Sequence, residues 1–392
     1  MNLFHTEQRI FVPSARGTEA LLASEIISLG LPVDAGTGSG IETRGSMQDA
    51  MRLNLHLRTG LRVLMLVSEF RASRPDELYH TATGISWEEI IPLDGYFSIN
   101  ETVDTPSIDN SRFAVQKCKD AIADRFMKKF GRRPDSGPLS DRTVLHLYWQ
   151  GEDCRIYVDT SGESLSKRGY RKIPYKAPLQ ETLAAAIVLS TGWKDDGHFV
   201  NPMCGSGTLA IEAALIGLNR PAAIHRNNFG FMHLNGYDPS AWEEIRKAGR
   251  AASNKAPDHR IIATDISSDA IEAAQSNART AGVEHLIEFI KCDFGDTPVP
   301  EGGGVVVMNP EYGERLGKVA ELGGVYARIG DFLKQNCRGY RGYVFTGNLD
   351  LVRKIGLRTK RKMLFYNGPI ECRLLEYELY QGSRKPIDKW FS

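Results

Sequence analysis

Apolar and polar positions along the chain follow two regimes. Over the first 165 residues, strand-patterned runs such as "RVLMLVSEF" and "RTVLHLYWQ" are interspersed with helix-period segments such as "GTEALLASEIISLG". No glycine loop of cofactor type occurs among them, and the mixture predicts α+β accessory modules. After "SGESLSKRGYRKIPYKAPLQ", a Gly/Ser/Pro-punctuated stretch, strands and helices alternate as in a parallel α/β sheet. The boundary between the regimes is placed near residues 160–170.

In the second regime "HFVNPMCGSGTLAIEAALIG" predicts a short strand, a tight Gly-X-Gly turn and an apolar helix from about Thr208. Gly205 and Gly207 would let the backbone approach a ligand and aim amide N–H groups from the helix N-terminus. "GSGTLA" also satisfies the loose pattern G-x-G-x-x-G/A, which alone is a weak signal for a dinucleotide site. Spacing argues against NAD, because the acid expected about 20 residues on is best supplied by Asp265 in "RIIATDIS", 58 residues after Gly207. The segment "GLNRPAAIHRNNFGFMHLNGYDP" is then an excursion between the first helix and the second strand.

Next, "SSDAIEAAQSNARTAGV" predicts a helix stopped by Gly282, and "IEFIKCDFGD" a third strand with Asp293 and Phe294 at its end. "GGGVVVMNPEYG" supplies a fourth. Ligands of open α/β sheets bind beyond the carboxyl ends of the strands, so Cys204 to Thr208, Asp265, Asp293 and Asn309 to Tyr312 should converge. Taken singly, a strand-end Asp also reads as a helix N-cap. The joint placement favours a ligand.

Composition adds bounds. With 392 residues, 42% hydrophobic and 25% charged, the chain has room for two or three domains. No stretch approaches the roughly 20 apolar residues of a membrane span, and the N-terminus lacks the layout of a signal peptide, so a cytoplasmic location is expected. The six cysteines form no CxxC or Cys/His cluster, and no metal site is expected.

The formal net charge is only +1, but basic residues gather in three patches. "RFAVQKCKDAIADRFMKKFGRR", from Arg112 to Arg133, predicts an amphipathic helix with Phe113, Ala114, Ala121, Ile122, Phe126 and Phe130 buried and a basic outer face. "SKRGYRKIPYK" joins five basic residues to two tyrosines, and a third patch runs from Lys334 to Lys362. Each alone reads equally as a solvated surface; together they favour phosphate contacts.

The residues carry a resemblance at this point. The order of glycine loop, Asp265, Asp293 and Asn309-Pro310-x-Tyr312 resembles S-adenosylmethionine-dependent amino-methyltransferases of the Asn/Asp-Pro-Pro-aromatic kind. More narrowly, "RGYR…APLQETLAAAIV", "NPMCGSGTLAIEAA", "GLNR", "NPEYGERLG", "TGN" and "RKMLFYNGPIECRL" resemble the bacterial guanine-N2 methyltransferases of large-subunit ribosomal RNA that carry an N-terminal THUMP domain. These motifs span roughly residues 168–374, and the N-terminal part fits more weakly.

The resemblance implies an α/β fold: a Rossmann-like methyltransferase domain over 166–392, behind an α+β region with a ferredoxin-like part (1–55) and a THUMP RNA-binding domain (56–165). It implies S-adenosylmethionine as cofactor, held by Asn201, Pro202, Cys204, Gly205, Ser206, Gly207, Thr208, Asp265, Ile266, Asp293 and Phe294, with Glu181 assisting by analogy. RNA, ribosomal first and transfer RNA second, is the implied partner. Lys117, Arg125, Lys128, Lys129, Arg132, Arg168, Tyr170 and Arg171 are the candidate RNA contacts.

The chemistry explains why such groups should meet. An exocyclic amino nitrogen is a poor nucleophile because its lone pair is delocalised into the ring. Two acceptors, the Asn309 side-chain oxygen and the Pro310 carbonyl, would each take one N–H and turn the lone pair toward the methyl group, while Tyr312 stacks on the base. The donor is already activated, so no strongly shifted general base is needed. A guanine in a helix or folded loop must be swung out of its stack to arrive.

Two residues depart from the family pattern. Glu311 stands where a second proline is expected, which frees Pro310 from the extended conformation a following proline imposes. It is read as pointing to solvent or pairing with Arg315, with approach to the substrate amino group or weakened catalysis as alternatives. Asn201 stands where an Asp is expected. Cys204 reads as a small residue in a crowded turn rather than a nucleophile. Phe294 either stacks on adenine or packs under the sheet, and Arg168, Tyr170 and Arg171 either contact RNA or tie the linker to the catalytic domain. "YNGPIEC" predicts a turn and final strand, with Asn367 and Gly368 as turn formers. Transfer RNA guanine, DNA adenine N6, and a non-catalytic RNA-binding or assembly role remain open; a dehydrogenase gives Asn-Pro-Glu-Tyr no task.

Overall fold

The computed structural model describes residues 6–36, 38–175, 178–254, 256–312 and 319–380. They form two compact units, one of residues 1–168 with 221–252, the other of 169–220 with 253–392.

The first unit holds, in order, β1 (Gln8–Pro13), α1 (Glu19–Ser28), β2 (Ala35–Gly36), β3 (Gly40–Gly45), α2 (Met47–His56), β4 (Leu64–Arg71), α3 (Pro75–Gly84), β5 (Tyr96–Asp104), α4 (Ser111–Phe130), β6 (Asp135–Ser136), β7 (Thr143–Gln150) and β8 (Asp153–Asp159). The eight strands make one sheet, ordered β2-β3-β1-β4-β8-β7-β5-β6. Alternate positions face the core; Ile10 and Val12 of β1 are fully buried. A reciprocal Ser46–Asp49 capping box starts α2, and Gly131, at φ 69°, ends α4.

Helix α4 buries Ala114, Ala121, Ile122 and Phe126 as its periodicity predicts. Phe113 and Phe130 do not follow: they are 48% and 43% exposed. Instead, the Lys117 ammonium lies 5.6 Å over Phe113 and that of Lys129 5.5 Å over Phe130, so each ring serves a cation at the surface.

The second unit runs α5 (Glu181–Ser190), β9 (His198–Pro202), α6 (Thr208–Gly217), then, past α7 (Pro239–Ala251) in the segment assigned to the first unit, β10 (Ile261–Asp265), α8 (Ser268–Thr280), β11 (Ile287–Lys291), β12 (Gly304–Met308), α9 (Val319–Asn336), β13 (Tyr340–Thr346), α10 (Leu349–Ile355), β14 (Arg361–Asn367) and β15 (Ile370–Glu378). The strand order is β11-β10-β9-β12-β13-β15-β14, with β9 to β13 parallel and β15 antiparallel to both its neighbours. The order reverses at β9, whose neighbours are β10 and β12, and a reversal of this kind opens a crevice at the strand ends.

The predicted excursion is present and joins the core of the first unit. Phe229, Phe231 and Trp242 are buried with ring centroids 5.0–5.3 Å apart, the two phenylalanines stacked and Trp242 edge-on to both. Arg226 anchors the segment, donating to the carbonyls of Ser161, Glu163, Ser164 and Asn228 with its guanidinium 4.6 Å over Phe229. Burial pulls its pKa down to about 10.

Candidate active site

Strand register sets the site's frame. Asn201 of β9 lies opposite Ala263 of β10, and Val200 opposite Val306 of β12, so Asp265 and Asn309 both stand just past the level of Asn201 on its two neighbours. They are two strand spacings apart, about 10 Å of backbone. The glycine turn crosses between them.

That turn is left-handed at Met203, Gly205 and Gly207, with φ of 56°, 54° and 80°. At Gly207 an added Cβ would lie 2.9 Å from the Ala274 Cβ, so the helix α6 can start there only because the residue is glycine. Among the described residues, its chain neighbours aside, nothing stands within 4 Å of the Cβ position at Gly205. Asp265 braces the turn: one carboxylate oxygen accepts from Gly205 N–H at 3.0 Å, the other from Ser267 N–H at 3.0 Å. Asp265 is thus both turn brace and strand-end carboxylate, and Ile266 beside it is left 69% exposed.

Asn201, the departure from Asp, is fully buried and its Nδ2 donates 2.8 Å to the Val307 carbonyl. The carboxylate of an Asp, an acceptor only when ionised, could not make that tie. The tie leaves Oδ1 shielded from solvent and without a hydrogen-bond partner among the described residues. Pro202 is buried beside it, and Ser206 and Thr208 are 4% and 5% exposed. Cys204 is partly buried; desolvation and then the Asp265 carboxylate push its thiol pKa well up, which suits a packing residue and not a nucleophile.

Arg171, expected at RNA, turns inward instead. It pairs with Glu181 at 3.0 Å and donates to the Leu179 carbonyl at 2.6 Å and the Thr208 hydroxyl at 3.2 Å, so it brackets the start of α6. The segment around it is stitched down by Asn277, which sequence reading passed over. Its Oδ1 accepts from the amides of Lys172 and Ile173, and its Nδ2 reaches the carbonyls of Ile173 and Ser206. Tyr175 adds a bond to Ser267 at 3.0 Å.

At the end of β11, Asp293 accepts from Gly295 N–H at 2.8 Å and from Arg328 of α9 at 2.5 Å. Phe294 does not offer a face to a ligand: at 7% exposure it packs edge-on against Phe332 and lies under the Arg328 guanidinium. These contacts are those of the packing reading of Phe294.

At the end of β12, Asn309 Oδ1 is shielded and has no hydrogen-bond partner among the described residues. Pro310 is buried and Glu311 exposed; Arg315, its expected partner, lies outside the described residues. Tyr312 is held from three sides. Asn367 Nδ2 donates 2.8 Å to its hydroxyl, Asn348 Nδ2 approaches its carbonyl at 3.4 Å, and a Cβ on Gly347 would meet its ring at 3.1 and 3.2 Å. Asn367 opens the turn between β14 and β15 as predicted, but its side chain does more than form a turn. Thr346 Oγ1, bonded to Tyr326 and to the Asn348 amide, fixes the "TGN" segment from below.

The remaining RNA candidates lie elsewhere. Arg168 is wholly buried in the first unit, donating to the carbonyls of Leu57, Arg58 and Leu165; its guanidinium is not at the surface to meet a phosphate, and the RNA expectation is corrected. Tyr170, 1% exposed, donates to buried Glu212 at 2.9 Å and is corrected likewise. Arg168 is thus tied within the first unit and Tyr170 within the second. On α4, Arg125 and Lys129 share Glu88, Lys117 meets Asp76 at 3.3 Å and Arg132 meets Asp94 at 2.9 Å, while Lys128 is exposed. Arg125 first, then Lys129, draw the Glu88 pKa down to about 2. Four of the eight basic residues from Arg112 to Arg133 are thus paired with carboxylates.

Among the described residues no three His, Cys, Asp or Glu side chains gather as a metal site, and no helix is long and apolar enough to cross a membrane.

Three stretches of the chain match known protein families. Residues 168–376 match the model of an RMKL-like methyltransferase domain, residues 9–64 that of an RlmL ferredoxin-like domain and residues 72–159 that of a THUMP domain. Ribosomal RNA large subunit methyltransferase K/L of Syntrophotalea carbinolica is 39% identical over 95% of this chain, and this chain spans 53% of it, about half its length. The Synechocystis protein slr0064, provisionally named an RNA methyltransferase, is 33% identical over 96% of this chain and 98% of its own. Among solved structures SMU.472, provisionally named a methyltransferase and complexed with SAH, superposes with a TM-score of 0.86 at 28% identity, covering 96% of this chain and 99% of its own.

Proposed function

The chain belongs to the RMKL-like methyltransferase family, and we propose that it moves a methyl group from S-adenosylmethionine to the exocyclic N2 of a guanine in large-subunit ribosomal RNA. The observation that carries the reading is the pair of shielded side-chain oxygens at neighbouring strands, Asn201 Oδ1 and Asn309 Oδ1, that have no hydrogen-bond partner among the described residues. Shielded acceptors without donors are uncommon in folded proteins, and each points to a ligand N–H.

The residues fit the cofactor. Gly205 leaves its surroundings open, Asp265 presents a carboxylate to ribose hydroxyls, exposed Ile266 offers an apolar cover for adenine, and Asn201 Oδ1 with Glu181 offers acceptors to an α-ammonium group. Bound there, the cofactor supplies an electrophilic methyl on sulfur. The protein's share is aim. Asn309 Oδ1 and the Pro310 carbonyl take the two N–H groups of the guanine amine and orient its lone pair, and Tyr312, braced by Asn367 and Gly347, gives the base a fixed surface. Exposed Glu311 leaves this arrangement to its neighbours.

We also propose that the N-terminal region, with its ferredoxin-like and THUMP matches, selects the RNA, Lys128 and the partly paired Lys117, Arg125, Lys129 and Arg132 contributing phosphate contacts when their carboxylate partners yield. A cytoplasmic site of action accords with that substrate.

The test is to incubate the protein with radiolabelled S-adenosylmethionine and unmodified ribosomal RNA, transfer RNA and DNA, then digest and identify the labelled nucleoside. N2-methylguanosine from large-subunit ribosomal RNA is expected. The same nucleoside from transfer RNA alone, N6-methyladenine from DNA, or no label despite RNA binding would each replace the reading with the corresponding alternative.

A further inference from the structure

Both donors that reach Asp293 go to one oxygen. Gly295 N–H and Arg328 Nη2 converge on Oδ1 at 2.8 and 2.5 Å, and among the described residues no donor reaches Oδ2. A carboxylate at an exposed strand end would ordinarily rotate and present either oxygen. Here one oxygen is engaged by the protein and the other is left to accept.

The arginine that does this is itself held. Its guanidinium carbon sits 4.7 Å from the centroid of Phe294, the residue after Asp293, and Phe332, one turn further along α9, meets the same ring edge-on at 6.3 Å. A flat guanidinium over an aromatic face has a fixed plane, so its N–H directions are fixed as well; a lysine ammonium would supply the charge without the plane. The contact is not needed to neutralise a buried charge, since the Arg328 side chain is 56% exposed and that of Asp293 28%. Its effect is on direction.

We propose that Arg328 is a positioning residue for cofactor recognition, orienting Asp293 so that Oδ2 accepts an N–H of the adenine 6-amino group. The inference rests on the cofactor reading above and deepens it: Asp293 touches the ligand, and Arg328 acts through Asp293. Selectivity follows from the chemistry. A purine with oxygen at position 6 would set a carbonyl against the carboxylate oxygen in place of a donor, and mispaired acceptors discriminate more strongly than missing apolar contacts do.

Calorimetric titration of the full chain with S-adenosylhomocysteine and with its 6-oxo analogue, S-inosylhomocysteine, reads this without turnover. The unaltered protein should prefer the adenosyl ligand. Arg328→Ala should weaken adenosyl binding about tenfold, the scale of one exposed ion pair with one cation–π contact, while leaving inosyl binding unchanged. Arg328→Lys should fall between. Equal weakening of both ligands would reduce Arg328 to a packing residue of α9 and overturn the proposal. Retention of the preference in Asp293→Ala would overturn it too, with cofactor binding intact. Failure of the folded, unaltered protein to bind S-adenosylhomocysteine would remove the cofactor reading and this inference with it.

Discussion

The hydroxyl of Tyr312 accepts a 2.8 Å hydrogen bond from Nδ2 of Asn367, 55 residues further along the chain and at the tip of the β14–β15 hairpin. A ring meant only to be slippery and apolar would not need its hydroxyl tied. If the tie sets the stacking angle of the base, Asn367→Ala should lower kcat for RNA about threefold to tenfold, the effect of one lost hydrogen bond of about 1 kcal/mol. In a Tyr312→Phe background the same substitution should do nothing further. A full additional loss in that background would show Asn367 acting by another route.

Asn309→Ala should abolish measurable methyl transfer, a drop of at least about a hundredfold as for other lost transition-state acceptors and donors. Binding of S-adenosylhomocysteine, measured by calorimetry, should stay within about twofold. Transfer that persists at the original rate would remove Asn309 from the chemistry.

Gly207→Ala places a methyl group 2.9 Å from the Ala274 side chain at a φ of 80°. The expected cost is about 1–3 kcal/mol in stability together with loss of cofactor affinity, since α6 can no longer start where it does. Thermal melting with and without S-adenosylhomocysteine checks both. An unchanged melting temperature would contradict the packing described.

Arg168→Ala should act on folding and not on RNA. Three buried carbonyls lose their donor, a penalty of about 3 kcal/mol, read as a lower urea midpoint. RNA affinity measured where both proteins are fully folded should be unchanged, and a selective loss there would restore the phosphate role.

Two histidines of the first unit give it a pH dependence. Burial, reinforced by Arg58 and Arg52, holds His56 at about 4, and burial with Arg62 holds His146 at about 4, both below the usual 6.5. Between pH 6.5 and 4 the unfolded chain takes up protons that the folded one refuses. Stability is therefore complete above pH 6.5, falls as the pH drops toward 4 and levels off below; allowing for partial exposure, each histidine accounts for about 2 kcal/mol. His146→Gln should flatten that fall between pH 7 and 4.5 in urea unfolding, and an identical slope would clear His146.

The strands, the glycine turn and the strand-end residues were legible because they rest on local periodicity and on turn chemistry confined to a few neighbours. The Tyr312–Asn367 bond was not, because it depends on which hairpin closes over which strand end. Arg168 and Tyr170 misled for a physical reason: a run of bases and tyrosines reads as surface, and nothing local tells which arginine will be surrounded by backbone carbonyls. Asn277 carried no signal at all, being one polar residue on an alanine-rich helix.

The assignment of residues 221–252 to the first unit means that the chain passes between the two units three times, after Arg168, Arg220 and Ala252. Neither unit is a contiguous stretch that can be cut out. A fragment starting at Gly169 would carry Phe229, Phe231 and Trp242 stripped of their surroundings, each worth about 1.5–3 kcal/mol when buried. On the ribosome the two units therefore interleave: β9 and α6 of the second have already emerged before Trp242 arrives to close the core of the first. The N-terminal unit begins first and is completed only after the catalytic one is under way.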